Sequence, residues 1–263
     1  MSVERILAPN PGIYTGPGTN TYLVRSGAEV VILDPGPIDA SHREVIEEQV
    51  GNAAVAAVIV THTHPDHAPL ANPIARHFAA PAIGYAPGPE FAPDEIVADG
   101  DTLDIGEEHL HVIYTPGHAD DHICLRLGRQ LFTGDHIMGG STVMVDNLIA
   151  YLASLERLRD IEIDRMHPGH GPAIEDPSGV IDYYISHRLE REREILEAIR
   201  NGSGSIGSIV EDVYRDVDPG LHPIAAYSVA AHLRKLASDG TVTFDETTAT
   251  DVWEALVTLR HRR

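Results

Sequence analysis

Three histidines and an aspartate fall within six consecutive positions of the run Thr61-His62-Thr63-His64-Pro65-Asp66-His67. The pattern H-x-H-x-D-H offers more metal donors than one ion usually takes from so short a loop. Nitrogen and oxygen donors without thiolate suit a borderline metal such as zinc, with iron or manganese as alternatives. The apolar run at 55–60 just before it predicts a strand that delivers these side chains to a sheet edge, where open sites lie. A histidine-rich surface loop would explain a single H-x-H pair, but not the whole hexad.

Three later motifs add donors: Thr115-Pro-Gly-His118, Gly134-Asp135-His136 and His167-Pro-Gly-His170-Gly-Pro172. Each places a donor after an expected strand end, with glycine nearby to let backbone and metal approach closely. Each is weak evidence alone; in this order, behind the hexad, they are strong together.

The elements that must position them follow from periodicity. Short β-branched runs at 21–25, 30–34, 55–61, 82–85, 111–115, 122–127 and 130–133 read as strands. Helices are expected at 41–50, with Ser41 as N-cap, and at 69–78 and 152–159. This order predicts an α/β chain with a mixed sheet and layered packing. After Gly171-Pro172 the texture changes. A long helix at 180–200, shorter helices at 206–214 and 224–238, and a hairpin from 241–245 and 252–257 outline a winged helix. We place the domain boundary so that 1–176 form the catalytic domain and 177–263 the C-terminal domain.

Composition limits the rest. The 263 residues, 43% of them hydrophobic, can bury a substantial core. The single cysteine, Cys124, excludes an internal disulfide framework and a thiolate zinc cluster. With no export signal evident at the N-terminus and no apolar run of membrane-spanning length, a cytoplasmic protein without a membrane partner is expected. The net charge of −21 is concentrated in residues 1–179, which carry 26 acidic residues against 9 arginines. Such a surface repels polyanions at long range.

The motifs together make residues 12–176 resemble the metallo-β-lactamase superfamily, whose αββα four-layer sandwich holds two metals in a groove at one sheet edge. The resemblance implies that His62, His64 and His118 bind the first ion. Asp66, His67 and His170 would bind the second, Asp135 would bridge the two, and Asp34 of the Asp34-Pro-Gly36 turn would orient the ligand loop. It narrows further. The stretch 10–24, with Pro116-Gly-His-Ala-Asp-Asp-His122, Pro168-Gly-His-Gly-Pro172 and Tyr184-Ile-Ser-His-Arg188, is similar to the β-lactamase-like protein 2 family. That family has a C-terminal winged-helix-like domain, and its mammalian member is a single-strand-specific endoribonuclease. One departure stands out: Ala68-Pro69-Leu70 occupies the place where relatives carry a Gly-Gly pair.

Two divalent ions so held would supply an activated water, which Asp66 would orient for attack on a carbonyl or phosphorus. The implied activity is that of a dinuclear hydrolase, with the substrate open between single-stranded RNA and a small ester or thioester, as for a glyoxalase II-like thioesterase or a lactonase. A winged-helix regulator that binds nucleic acid is the non-enzyme alternative. Only Arg234 and Lys235 stand together on the expected third helix, so strong duplex DNA binding is not expected. The tail instead caps the groove or forms a homodimer contact. Of the other histidines, His122 is expected beside a ligand, while His187 and Arg188 on the long helix are candidates to touch substrate. His136 and His167 are read as pointing away, and His42, His77, His109, His111, His222, His232 and His261 as ordinary. Asn20 and Tyr22 are assigned to turn geometry and packing.

Overall fold

Alternation along the strands decides the layering. The structure, a computed structural model, describes residues 1–140, 142–246 and 252–260. In chain order the elements are β1 Ser2–Leu7, β2 Asn20–Ser26, β3 Glu29–Leu33, α1 Ala40–Val50, β4 Ala54–Ile59, α2 Ala71–Phe78, β5 Ala82–Gly84, β6 Glu95–Ile96, β7 Thr102–Ile105, β8 Glu108–Tyr114, β9 Ile123–Leu127 and β10 Gln130–Gly134. Then come α3 Leu148–Arg159, β11 Arg165–Pro168, α4 Pro177–Arg200, α5 Ile206–Val213, α6 His222–Ser238, β12 Val242–Asp245 and β13 Leu256–Leu259.

One sheet runs β1-β2-β3-β4-β5-β6 and the other β11-β10-β9-β8-β7. Successive side chains leave opposite faces of a strand. Tyr22 and Val24 therefore enter the core between the sheets, while Leu23 packs with Ile46 and Ile74 of α1 and α2. In the second sheet Ile123, Leu125 and Phe132 face inward, and Cys124 and Leu131 pack with Tyr151 and Leu155 of α3. The layers are helix, sheet, sheet, helix, as expected from the resemblance. Ile195, Ile199 and α5, α6, β12 and β13 build a separate core. Helix α4 serves both: its Ile181, Tyr184 and Ile185 join the α3 core, and its far end joins the C-terminal one.

Several boundaries differ from the sequence expectation. Helix α1 is capped by Asp39, whose Oδ1 accepts from the His42 amide at 2.8 Å and from Ser41 itself, so Ser41 is not the N-cap. Helix α3 begins at Leu148 on an Asn147 cap, and α4 at Pro177 on an Asp176 cap. The capping side chains set both starts, with proline in the first turn of α4. The last strand is Leu256–Leu259, after a 3₁₀ turn at Val252–Glu254. The expected hairpin turn at 247–251 and His261 lie outside the described residues. Strands β1, SVERIL, and β11, RMHP, interrupt their apolar residues with charged and polar ones and are not legible as apolar runs. Among the described residues, no helix is long and apolar enough to cross a membrane.

Candidate metal centre

The donor loops leave the carboxyl ends of strands. Asp34 follows β3, the hexad follows β4, His118 follows β8, Asp135 follows β10 and His170 follows β11. These ends meet along one edge of the sandwich, where the donors collect in two groups. His62, His64 and His118 form one; Asp66, His67, Asp135 and His170 form the other. Within each group the candidate ligand atoms lie within 4.8 Å of one another. Asp135 spans both. Its Oδ1 is 3.4 Å from His67 Nε2, and its Oδ2 is 3.3 Å from His170 Nε2 and 3.8 Å from His118 Nε2.

Hydrogen bonds on the far side of each ring determine which nitrogen is free to bind a cation. Asp34 Oδ1 accepts from the Thr61 amide at 2.7 Å, and its Oδ2 takes the Thr61 hydroxyl at 2.8 Å and His67 Nδ1 at 3.0 Å. With its proton given to Asp34, the Thr61 oxygen can accept from His62 Nδ1, 3.0 Å away. His118 Nδ1 donates to the Met144 carbonyl at 2.8 Å, and His170 Nδ1 to the Gly18 carbonyl at 3.1 Å. Four Nε2 atoms are thereby turned inward. His118 Nε2 then faces His64 Nδ1 at 3.0 Å, and His67 Nε2 faces His170 Nε2 at 3.3 Å. Buried His62 Nε2 and Asp135 Oδ1 have no hydrogen-bond partner. Converging imidazole nitrogens and carboxylate oxygens of this kind fit divalent cations.

Electrostatics separates the groups. Burial holds His62 well below its ordinary value, and the neighbouring His67 and His118 rings add to this. His64 is lowered by burial and by His118. Burial pushes His67 down too, but the carboxylates of Asp135, Asp34 and Asp66 outweigh it and hold the ring well above its ordinary value. His170 is raised in the same way, against burial, to about 9 by Asp135 and Asp66. Against the upward push of burial, those rings hold Asp66 low and Asp135 well below the carboxylate range.

Two glycines are required here. A Cβ on Gly134, whose φ is +46°, would lie 2.6 Å from His122 Nε2. One on Gly169 would lie 2.4 Å from Asp135 Oδ1 and 2.7 Å from His67 Cε1.

The remaining candidates fall outside both groups. His122 accepts from the Asp135 amide at 3.2 Å, and its Nδ1 is 2.9 Å from Thr115 Oγ1, so it holds the backbone of a donor. His187 is half-buried and stacks on Tyr183. Arg188 is buried and reaches the Val143 carbonyl rather than open space. His136 packs between His122 and Tyr151, and His167 stacks on Phe132. Sequence reading missed the clamp on the His170 loop. Asn20 Nδ2 donates to the Pro168 and Gly171 carbonyls at 2.8 and 2.9 Å, and the Tyr22 hydroxyl to Pro168 at 2.7 Å. Only the closeness of these two residues to the glycine-rich stretch at 10–19 hinted at this. His42, read as ordinary, is buried with its Nε2 2.9 Å from Thr21 Oγ1.

Residues 14–170 match the Metallo-beta-lactamase superfamily, and residues 205–253 match the Beta-lactamase associated winged helix domain. The chain therefore belongs to the metallo-β-lactamase superfamily and is a metal-dependent hydrolase with a potential dinuclear His/Asp site. It is 34% identical to a beta-lactamase-like protein 2 homolog of Drosophila melanogaster, over 91% of this chain and 89% of that protein. It is 32% identical to an atrochrysone carboxyl ACP thioesterase of Aspergillus novofumigatus, over 92% and 81%. A solved metallo-beta-lactamase family protein of Thermus thermophilus shares the fold with a TM-score of 0.79 at 19% identity, each chain covered to 98%.

Proposed function

We propose that the chain is a dinuclear, zinc-dependent hydrolase of uncharged acyl compounds, thioesters first and esters or lactones next. His62, His64 and His118 would hold one ion, Asp66, His67 and His170 the other, and Asp135 both. Imidazole and carboxylate donors without thiolate suit zinc, with iron or manganese the next best fit. Bound there, the ions supply an acidified water and a Lewis acid at the acyl oxygen. Asp66 is open to solvent, its side chain 24% exposed, with Oδ2 3.1 Å from His170 Nε2. From there it orients the attacking water by accepting one of its protons in a hydrogen bond. Attack on the acyl carbon breaks the carbon–sulfur bond and releases an acid and a thiol.

The observation that carries the substrate class is the charge of the rim. The loops at 8–19, 34–39, 61–70, 115–122, 135–147 and 169–176 contain no lysine or arginine of their own, although Arg5 of β1 donates to the Gly171 carbonyl, and they carry acids such as Asp39, Asp120, Asp121 and Asp146. Ile13, Tyr14, Ile38 and Met144 on those loops are exposed. RNA binding rests on cations that neutralise phosphates, whereas an apolar, acidic rim suits a neutral acyl chain. A relative named as an ACP thioesterase supports the same reading. The regulator alternative loses ground because the paired cations of α6 are already neutralised, Arg234 by Glu246 at 2.6 Å and Lys235 by Glu192 and Asp239 at 3.0 and 2.9 Å.

The test is turnover by the zinc-loaded protein on a short-chain acyl thioester, a lactone and a single-stranded oligoribonucleotide. Thioester hydrolysis should exceed RNA cleavage in kcat/KM by about a hundredfold or more. RNA cleavage as efficient as thioester hydrolysis would overturn the substrate class while leaving the metal centre intact.

A further inference from the structure

A buried guanidinium without a carboxylate partner is costly, and Arg188 is one. It is 5% exposed, in the middle of α4, and among the described residues it has no carboxylate paired with it. What it touches is the segment joining β10 to α3, whose described residues between Asp135 and Asn147 form no helix or strand. Nη2 of Arg188 donates to the Val143 carbonyl, and its Cζ lies 5.5 Å from the centroid of the Tyr151 ring.

The same segment carries the carbonyl that fixes His118. Met144, next to Val143, accepts His118 Nδ1–H at 2.8 Å. One turn earlier on α4, the Tyr184 hydroxyl meets the Met138 amide and carbonyl at 3.3 and 3.2 Å. Residues four apart share a helix face, so Tyr184 and Arg188 grip the segment at two points. Tyr151, beneath the guanidinium, donates its hydroxyl to the His136 carbonyl at 2.8 Å, just after Asp135.

We infer that Arg188 is a positioning residue for the metal centre. It holds the Val143–Met144 backbone so that Met144 keeps His118 protonated on Nδ1 and its Nε2 aimed at the first donor group. The long helix at the start of the C-terminal region is thereby a working part of the site. The inference rests on reading His118 as a metal ligand. Lysine could reach the same carbonyl with one donor but lacks the planar fork; methionine keeps the apolar stem and no donor.

The experiment strips metal from the full-length wild type, Arg188→Met and Arg188→Lys, then titrates each with Co²⁺, following the visible absorption. Wild type should take up two equivalents. In Arg188→Met, one of the two should bind about 10- to 100-fold more weakly, with altered absorption, while the other keeps its affinity. Arg188→Lys should recover part of that loss. A folded Arg188→Met that binds both equivalents like wild type overturns the inference. So does an equal loss at both positions that lysine does not rescue, since that marks general packing. If Arg188→Met does not fold, Arg188→Gln, which also cannot span the distance, carries the same expectation. A wild type that takes up no Co²⁺ would refute the ligand reading itself, and is distinguishable because no variant need be consulted.

Discussion

The two donor groups share one crevice but are built from different chemistry. The first is three imidazoles, with burial keeping His62 and His64 neutral and their lone pairs available. The second sets two imidazoles among the carboxylates of Asp34, Asp66 and Asp135, which raise His67 and His170. A cation entering the first group displaces no proton from His62 or His64; one entering the second competes with protons on His67 and His170. Asp135 is in reach of both and would join the pair into one centre.

The largest effect should come from the residue that joins them. Asp135→Ala should cut turnover by about a thousandfold or more and leave less than two ions per chain, with the fold retained. Full metal content together with full turnover in that variant would break the comparison at its centre.

Asp34→Asn comes next, because asparagine tolerates the φ of +47° found there. It replaces one acceptor oxygen by an amide, so the Thr61 amide, Thr61 Oγ1 and His67 Nδ1 can no longer all donate to it. Activity should fall about 10- to 100-fold, with metal affinity weakened mainly in the second group. An equal weakening in both groups would show that Asp34 serves the whole ligand loop.

Tyr22→Phe removes one hydrogen bond from the His170 loop and leaves those of Asn20. It should cost about 1 kcal/mol in unfolding free energy and only a few-fold in activity.

Outside the donor groups, a pH dependence of stability is expected. Burial, with Arg165 adding to it, holds His167 down at about 4. Between its ordinary value of about 6.5 and that figure, the unfolded chain takes up a proton that the folded chain refuses. Stability should therefore decline as pH falls through this window. His167→Gln should reduce the slope by up to about 1.4 kcal/mol per pH unit, measured by denaturant unfolding. An unchanged slope would mean that His167 protonates freely in the folded state.

What could be read from the chain follows from where the chemistry sits. The donors lie on short loops after strands, so their types and spacing survive as motifs, and most of the strands are legible as short apolar, β-branched runs. The parts that hold the donors in place leave no such trace. Asn20 and Tyr22 act on backbone carbonyls some 148 and 146 residues away, through pairings that only the closed sheet edge creates. Arg188 was legible as a charged residue on a helix; its burial against Tyr151 and Val143 is a property of packing. The caps at Asp39, Asn147 and Asp176 were open to local reading, but apolar periodicity pulled the expected helix starts inward.

The most direct test of the central claim is elemental analysis of the purified wild type beside His118→Ala. Two zinc-class divalent ions per chain should be found in the wild type, and one in His118→Ala, held by Asp66, His67, Asp135 and His170. Two ions in both proteins, or none in a folded and active wild type, would contradict the account.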